Sequence, residues 1–376
     1  MIRILADSRI HAIQAFANSA AKVVFFDSSE PFNRTDLEGA DALIVRTVSK
    51  INSHTLPVIP SRLSFAATAS AGFDHVDTGY LAEHGVTFAS AGGANARAVA
   101  EHVVSGMLCW SDVKNQDLSN FKVGIVGCGH TGNAVGRLLG TLGISTVLYD
   151  PLRAQRESAF YSAAIEDVLS ADIITFHTPL TFDGEHKTHH WLDAEKLAQA
   201  NFKLVVNASR GGVIDESALM EALHRGSAGA AIIDVWEGEP ELNPTMLDMA
   251  LLATPHIAGY SAQAKFNATK MVFEALYKHF GIEHHDFDDI EGHAGPNLLP
   301  TINSDSLAHI LKSAYPLHVH DRKLRNAIAA NPGAIGQTFR KVRQSIAFRD
   351  EFDRWRLPEN THRKHPELVK LGFKTC

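Results

Sequence analysis

Short apolar runs alternate along this chain with longer stretches in which apolar residues recur at helical spacing. In the amino-terminal part the runs are Arg3 to Ala6, Lys22 to Phe25, Ala42 to Val45 and Ser64 to Ala67, with a helical pattern from Ser8 to Ser19 after the first. From about Asn95 to about Pro255 the rhythm strengthens, and six further strands are predicted: Lys122 to Val126, Ser145 to Tyr149, Ile173 to His177, Leu204 to Asn207, Ala230 to Asp234 and Leu251 to Thr254. Strands that alternate with helices imply parallel sheets covered on both faces, and six in succession suffice for a complete dinucleotide fold.

A long helical pattern, Ala262 to Phe280, follows, and its natural role is to return to the first domain. The expected organisation is therefore a discontinuous domain of residues 1–94 and 256–285, an inserted Rossmann-type domain of residues 95–255, and a third, small domain of residues 286–376. A segment rich in His, Asp, Gly and Pro, Glu283 to Pro300, reads as the linker to that last domain. Its cations Arg340, Lys341, Arg343, Arg349, Arg354 and Arg356 read as the solvated face of a helix.

Composition narrows the class. A hydrophobic content of 45% over 376 residues is that of a globular protein with buried cores. The formal charge of -7 argues against nucleic acid or a membrane surface as partner, because both reward a basic face. No secretory signal or membrane-spanning run is visible, so a cytoplasmic protein is expected. Cys109, Cys128 and Cys376 are too scattered for disulfides or a zinc site.

Phe121 to Gly132 reads FKVGIVGCGHTG, a strand followed by a glycine-rich turn and a helical run from Asn133 to Leu142. In Gly127-Cys128-Gly129-His130-Thr131-Gly132 the first glycine allows the turn, the second admits a pyrophosphate, and the third lets helix and strand lie close. A glycine-rich surface turn would give the same letters. Context favours a dinucleotide: the next strand ends at Asp150, whose carboxylate suits the adenosine ribose hydroxyls and would repel the extra phosphate of NADP. NAD is the expected cofactor.

Three residues lie just beyond the carboxyl ends of predicted strands, where open α/β sheets bind ligands. They are Arg210 in NASRGG, Glu239 in DVWEGEP and His256 in TPHIAGY. Oxidation of a 2-hydroxy acid needs such a set: an imidazole to take the hydroxyl proton, a carboxylate to orient it, and a guanidinium to bind the substrate carboxylate. Singly, each could be a surface or structural residue; their shared position favours catalysis. Asp234, ending a strand, could accept from a nicotinamide carboxamide or cap a helix.

At these residues the chain resembles the D-isomer-specific 2-hydroxyacid dehydrogenases, over about residues 1 to 285, with Arg210, Glu239 and His256 on the catalytic positions. The segments VRTVSK (45–50), TASAGFDH (68–75), TFHTPL (175–180) and Asp234 to Leu242 resemble a phosphoerythronate-oxidising branch of that family. The resemblance implies a Rossmann-type NAD-binding domain inserted in a flavodoxin-like substrate domain, plus a small α+β C-terminal domain that forms a homodimer. It implies oxidation of 4-phospho-D-erythronate to (R)-3-hydroxy-2-oxo-4-phosphooxybutanoate, a step toward pyridoxine 5'-phosphate. By motif position, Thr178, Ala208, Ser209, Arg210, Asp234 and Gly259 join Asp150 at the cofactor, while Thr47, Ser70 and Tyr260 touch substrate. Arg46 would supply a cation to the phosphate pocket, and the tail's Arg349 a further phosphate contact from a partner subunit.

The alternatives are another D-2-hydroxyacid dehydrogenase, acting on 3-phosphoglycerate, glyoxylate or lactate, and a non-catalytic NAD-sensing dimeric protein. The histidines at His186, His189, His190, His284 and His285 lack convincing ligand spacing, so no metal is expected.

Overall fold

The computed structural model describes residues 1–28, 34–283, 287, 290, 301–304 and 306–375. His284, His285, Cys376 and most of the expected linker lie outside the described residues. The chain divides into two compact units, Met1–Asn95 with Ser261–Asn297, and Ala96–Tyr260 with Leu298–Cys376.

The first unit is built on five parallel strands, β1 (Ile2–Asp7), β2 (Ala21–Phe26), β3 (Ala42–Val45), β4 (Phe65–Thr68) and β5 (Thr87–Ser90), in the order β2-β1-β3-β4-β5. That is the flavodoxin-like doubly wound order. The helix Ala262–Phe280 returns to this unit: Phe266, Phe273 and Tyr277 pack with Phe16 and Ile44 in one core. Ser261 caps it by accepting from the Ala264 N–H at 2.9 Å, and Gly281, at φ 63°, ends it. The helix expected over Ser8 to Ser19 is reduced to Ile13–Phe16. Asp7 Oδ1 accepts from the Arg9 N–H at 2.8 Å and Ala12 takes a left-handed φ of 54°, so the chain turns twice before a helix begins.

In the second unit six parallel strands follow: β6 (Val123–Val126), β7 (Thr146–Tyr149), β8 (Ile173–Phe176), β9 (Leu204–Asn207), β10 (Ala231–Ile233) and β11 (Leu252–Ala253). Their order is β11-β10-β9-β8-β6-β7, so the strand order reverses direction around β6, where dinucleotides bind. β6, β8 and β9 are wholly buried, as strands covered on both faces must be.

The tail does not form a separate compact unit. It has the expected α+β character, with a two-stranded parallel sheet of β12 (Arg356–Leu357) and β13 (Lys374–Thr375) beside its helices. Its apolar residues enter the cores of the nucleotide-binding fold: Ile310, Leu317 and Phe352 join Val104 and Leu139, while Leu324, Phe339 and Val342 join Ile233 and Trp236. Asp321 covers the sheet edge, accepting from the Ala253 N–H at 2.8 Å. Among the described residues no helix is long and apolar enough to cross a membrane.

Candidate active site

The glycine-rich turn has the shape its letters predict. Gly127 takes φ 86°, a Cβ on Gly132 would lie 1.9 Å from the Gly127 carbonyl oxygen, and a Cβ on Gly129 would meet no atom within 4 Å. The helix His130–Thr141 begins at Gly129 without a side-chain cap, so its first N–H groups face an open cradle suited to a pyrophosphate. Beside Gly127, Thr178 Oγ1 and His177 Nδ1 are buried without hydrogen-bond partners. Such atoms are costly unless a ligand satisfies them, and a dinucleotide laid over this turn fits that need. Enclosure pulls the His177 pKa down to about 3, so its ring is neutral; the sequence places His177 at the end of a strand and within TFHTPL but gives it no role.

Asp150 already accepts from the Cys128 N–H at 2.8 Å and from the Arg153 N–H at 2.9 Å. The carboxylate expected to meet ribose also ties the glycine-rich turn to the next helix. Arg153 closes the arrangement, donating to the Cys128 carbonyl at 2.7 Å and to Asn133 Oδ1 at 2.8 Å. Burial pushes the Cys128 thiol up to about 12, which leaves it an inert packing group.

Arg210, Glu239 and His256 leave the ends of β9, β10 and β11 on loops that brace one another. Asn207 folds back over the first loop: its Oδ1 accepts from the Ser209 N–H at 3.1 Å and the Ser209 hydroxyl at 2.9 Å, and its Nδ2 donates to the Arg210 carbonyl at 3.0 Å. Ala208 and Ser209 are buried within that turn, while Arg210 is half-buried. A Cβ on Gly211 would lie 1.8 Å from the Trp236 carbonyl oxygen, so only glycine lets the Arg210 loop rest against the loop that carries Glu239. Trp236 in turn donates to the Thr254 carbonyl at 3.0 Å, joining the third loop.

Asp234 organises the third loop. Its buried carboxylate accepts from the Thr254 hydroxyl at 2.6 Å and from the N–H groups of Ile257 and Ala258 at 2.8 and 2.9 Å. It caps no helix but holds the turn in which His256 adopts φ 56°, a left-handed conformation unusual for histidine. His256 Nδ1 is 2.8 and 3.0 Å from the two carboxylate oxygens of Glu239. That bond makes Nδ1 the protonated ring nitrogen and leaves Nε2 as the acceptor.

Tyr260 and Gly259 follow at once on the same turn and are half-buried. In the first unit, Arg46 leaves β3 and pairs with Asp7 at 2.8 Å and Ser28 at 3.1 Å; Thr47 is exposed beside it. Ser70 is half-buried just after β4, where Thr68 Oγ1 contacts His75 Nε2 at 2.9 Å.

Two expectations need correction. Arg349 is not a solvated or substrate-facing cation: its side chain is 8% exposed, bonded to Glu101 Oε2 at 2.7 Å and stacked on Tyr315. The histidine patch does gain a carboxylate, since His189 and His190 stack at 3.9 Å and His190 Nε2 lies 2.6 Å from Glu237 Oε1. With His189 they gather potential ligand atoms within 4.8 Å of one another. Glu237 also accepts from the Glu216 N–H at 3.2 Å, which accounts for the cluster as a hydrogen-bonded brace of the Glu239 loop.

Residues 94–258 match the family model described as D-isomer specific 2-hydroxyacid dehydrogenase, NAD binding domain. Erythronate-4-phosphate dehydrogenase of Escherichia coli O9:H4 (strain HS) is 39% identical over 356 residues, 91% of this chain and 90% of the relative. The Bacteroides thetaiotaomicron protein of the same name is 37% identical over 281 residues, 74% of this chain and 80% of its own length. Among solved structures, the D-lactate dehydrogenase of Aquifex aeolicus complexed with NAD and lactic acid aligns with TM-score 0.58 at 21% identity, covering 74% of this chain and 95% of that one. The NAD-dependent formate dehydrogenase of Staphylococcus aureus in complex with NAD aligns with TM-score 0.58 at 23% identity, covering 76% and 98%. Those two likenesses establish the fold, and the closer relatives the branch: the chain belongs to the erythronate-4-phosphate dehydrogenase family, within the D-isomer-specific 2-hydroxyacid dehydrogenases.

Proposed function

We propose that this chain is an NAD-dependent dehydrogenase that oxidises 4-phospho-D-erythronate at C2 to (R)-3-hydroxy-2-oxo-4-phosphooxybutanoate, a cytoplasmic step in making pyridoxine 5'-phosphate. The observation that carries the reading is the His256 to Glu239 bond at 2.8 Å, between a loop locked by Asp234 and one braced against the loop of Arg210. NAD, when bound, supplies the acceptor for the C2 hydrogen with its electron pair. His256 Nε2 takes the hydroxyl proton as C2 becomes a carbonyl, and Glu239 keeps the ring oriented and steadies the imidazolium. Arg210 binds the substrate carboxylate and polarises the reacting oxygen.

For the cofactor we assign Gly127, Gly129, His130, Thr131 and Gly132 to the pyrophosphate, and Asp150 to the ribose. Thr178, Ala208, Ser209, Asp234 and Gly259 border the remainder. Arg46, Thr47, Ser70 and Tyr260 contribute to substrate binding. The tail carries exposed apolar side chains, Val319, Phe348 and Val369, and we read it as the surface of a homodimer; light scattering of the full chain checks this.

The purified chain is tested with NAD and a panel of acids, following reduced nicotinamide by absorbance and assaying for cofactor already bound. Turnover is expected with 4-phospho-D-erythronate and far less with 3-phosphoglycerate, lactate or the glyoxylate pair. Preference for another acid contradicts the substrate, and NAD binding with no turnover of any acid contradicts the enzyme.

A further inference from the structure

The helix Ile335–Gln344 of the tail docks on the loop that carries Glu239. Phe339 and Val342 are buried in the core beside Trp236 and Ile257, which fixes how the helix is turned. At its start the Gly336 N–H donates to Glu241 Oε2 at 2.9 Å, and the absence of a side chain at Gly336 lets that carboxylate lie directly against the helix. Just beyond its end the Arg349 N–H donates to the Tyr260 carbonyl at 3.4 Å. Between these anchors, Arg343 brings Nη1 to 4.0 Å from Glu239 Oε1 and its guanidinium to 5.4 Å from the Tyr260 ring centroid. Its Nε is buried without a hydrogen-bond partner.

Glu239 Oε1 thus lies 2.8 Å from His256 Nδ1 and 4.0 Å from a guanidinium of the tail, while Oε2 is 3.0 Å from the same Nδ1 and accepts from the Trp236 N–H at 3.5 Å. An imidazole and one long backbone hydrogen bond leave a carboxylate freedom to swing about its last torsion; a neighbouring guanidinium restricts that swing, and with it the orientation of the imidazole. We infer that Arg343 is a positioning residue, which acts through Glu239 to hold His256 in its reactive orientation and makes the tail part of the active-site support. The inference rests on the proposed proton-transfer role of His256.

Arg343→Gln and Arg343→Lys are made in the full chain, alone and with Glu239→Gln, after thermal melts establish that each variant folds. Arg343→Gln should lower kcat about tenfold, the scale of a small misplacement of a reacting group, with KM for NAD unchanged. Arg343→Lys should recover most of the loss, and in the Glu239→Gln background Arg343→Gln should cost nothing further. An equal loss in both backgrounds, or a rise in substrate KM with kcat intact, overturns the inference. A second readout is independent of turnover: the His256 Nδ1 proton resonance, identified by its loss in His256→Ala, should broaden or move upfield in Arg343→Gln, and an unchanged resonance overturns the inference. If no 2-hydroxy acid is oxidised the proposed function fails by itself, and the resonance still decides the role of Arg343.

Discussion

After β3 and β4 the chain passes through Arg46, Thr47 and Ser70; after β9, β10 and β11 it passes through Arg210, Glu239 and His256. Each set holds a basic side chain on a carboxylate at the same distance, Arg46 on Asp7 and His256 on Glu239, both at 2.8 Å. The environments differ. Asp7 is wholly enclosed and the Glu239 side chain 19% exposed, while the two basic side chains are similarly open, Arg46 at 26% and His256 at 32%. Guanidinium never changes charge in a protein, so the first pair fixes a static cation where an anionic group can be bound. An imidazole can take up and release a proton, so on the proposed function the second pair steadies the base. One bond length joins two different bases to carboxylates, and proton chemistry rather than accessibility separates them.

The largest expected effect breaks the second pair. His256→Ala should lower kcat by about 10³-fold, the usual range for a general base, while the Kd for NAD measured by fluorescence stays within twofold, roughly the precision of the assay. A variant that loses NAD binding in parallel would make His256 a structural residue. Breaking the first pair should act on binding instead. Arg46→Gln should raise KM for the phosphorylated acid by about thirtyfold and leave kinetics with unphosphorylated erythronate unchanged; an equal effect on both acids would show that Arg46 only supports the fold.

Smaller effects sharpen the contrast. Asp150→Ala should weaken NAD by about tenfold and narrow the preference over NADP, measured as the ratio of kcat/KM values. No change in that ratio would confine Asp150 to its bonds with Cys128 and Arg153. His102 tests the buried surroundings: it is fully enclosed, bonded to Tyr315 at 2.8 Å, and its pKa is pulled from 6.5 down to about 4, chiefly by burial, with Arg349 and His320 lowering it and Asp234 opposing. The folded state therefore binds fewer protons than the unfolded chain between those values. Stability from this source is complete above pH 6.5 and falls toward pH 4, by about 2 kcal/mol at pH 5. Denaturant melts of wild type and His102→Gln should converge as the pH drops from 7 to 5, and parallel curves would contradict that origin.

The strands, and the positions of Arg210, Glu239 and His256 at strand ends, were legible because their signals are local. β3 and β9 coincide with the expected runs, and the helix Ala262–Phe280 matches to the residue, since its cap, apolar face and closing glycine are adjacent in sequence. β5 escaped notice because TFAS is short, exposed at its start and lacks alternation. The brace around the site was less legible. Asn207 reads as the last residue of a strand, and nothing in its letter shows that its amide folds back over Ser209 and Arg210. Arg343 and Arg349 share a cationic stretch, yet one faces Glu239 and the other is sealed against Glu101, a difference set by packing across more than a hundred residues of sequence.

The account turns on transfer of the C2 hydrogen, with its electron pair, to nicotinamide as His256 takes the hydroxyl proton. 4-Phospho-D-erythronate carrying deuterium at C2 is oxidised by the full chain with NAD, and the reduced cofactor is weighed by mass spectrometry. The account predicts one deuterium in the recovered NADH and a slowed single-turnover rate. Unlabelled NADH, with the deuterium released to water, would contradict it.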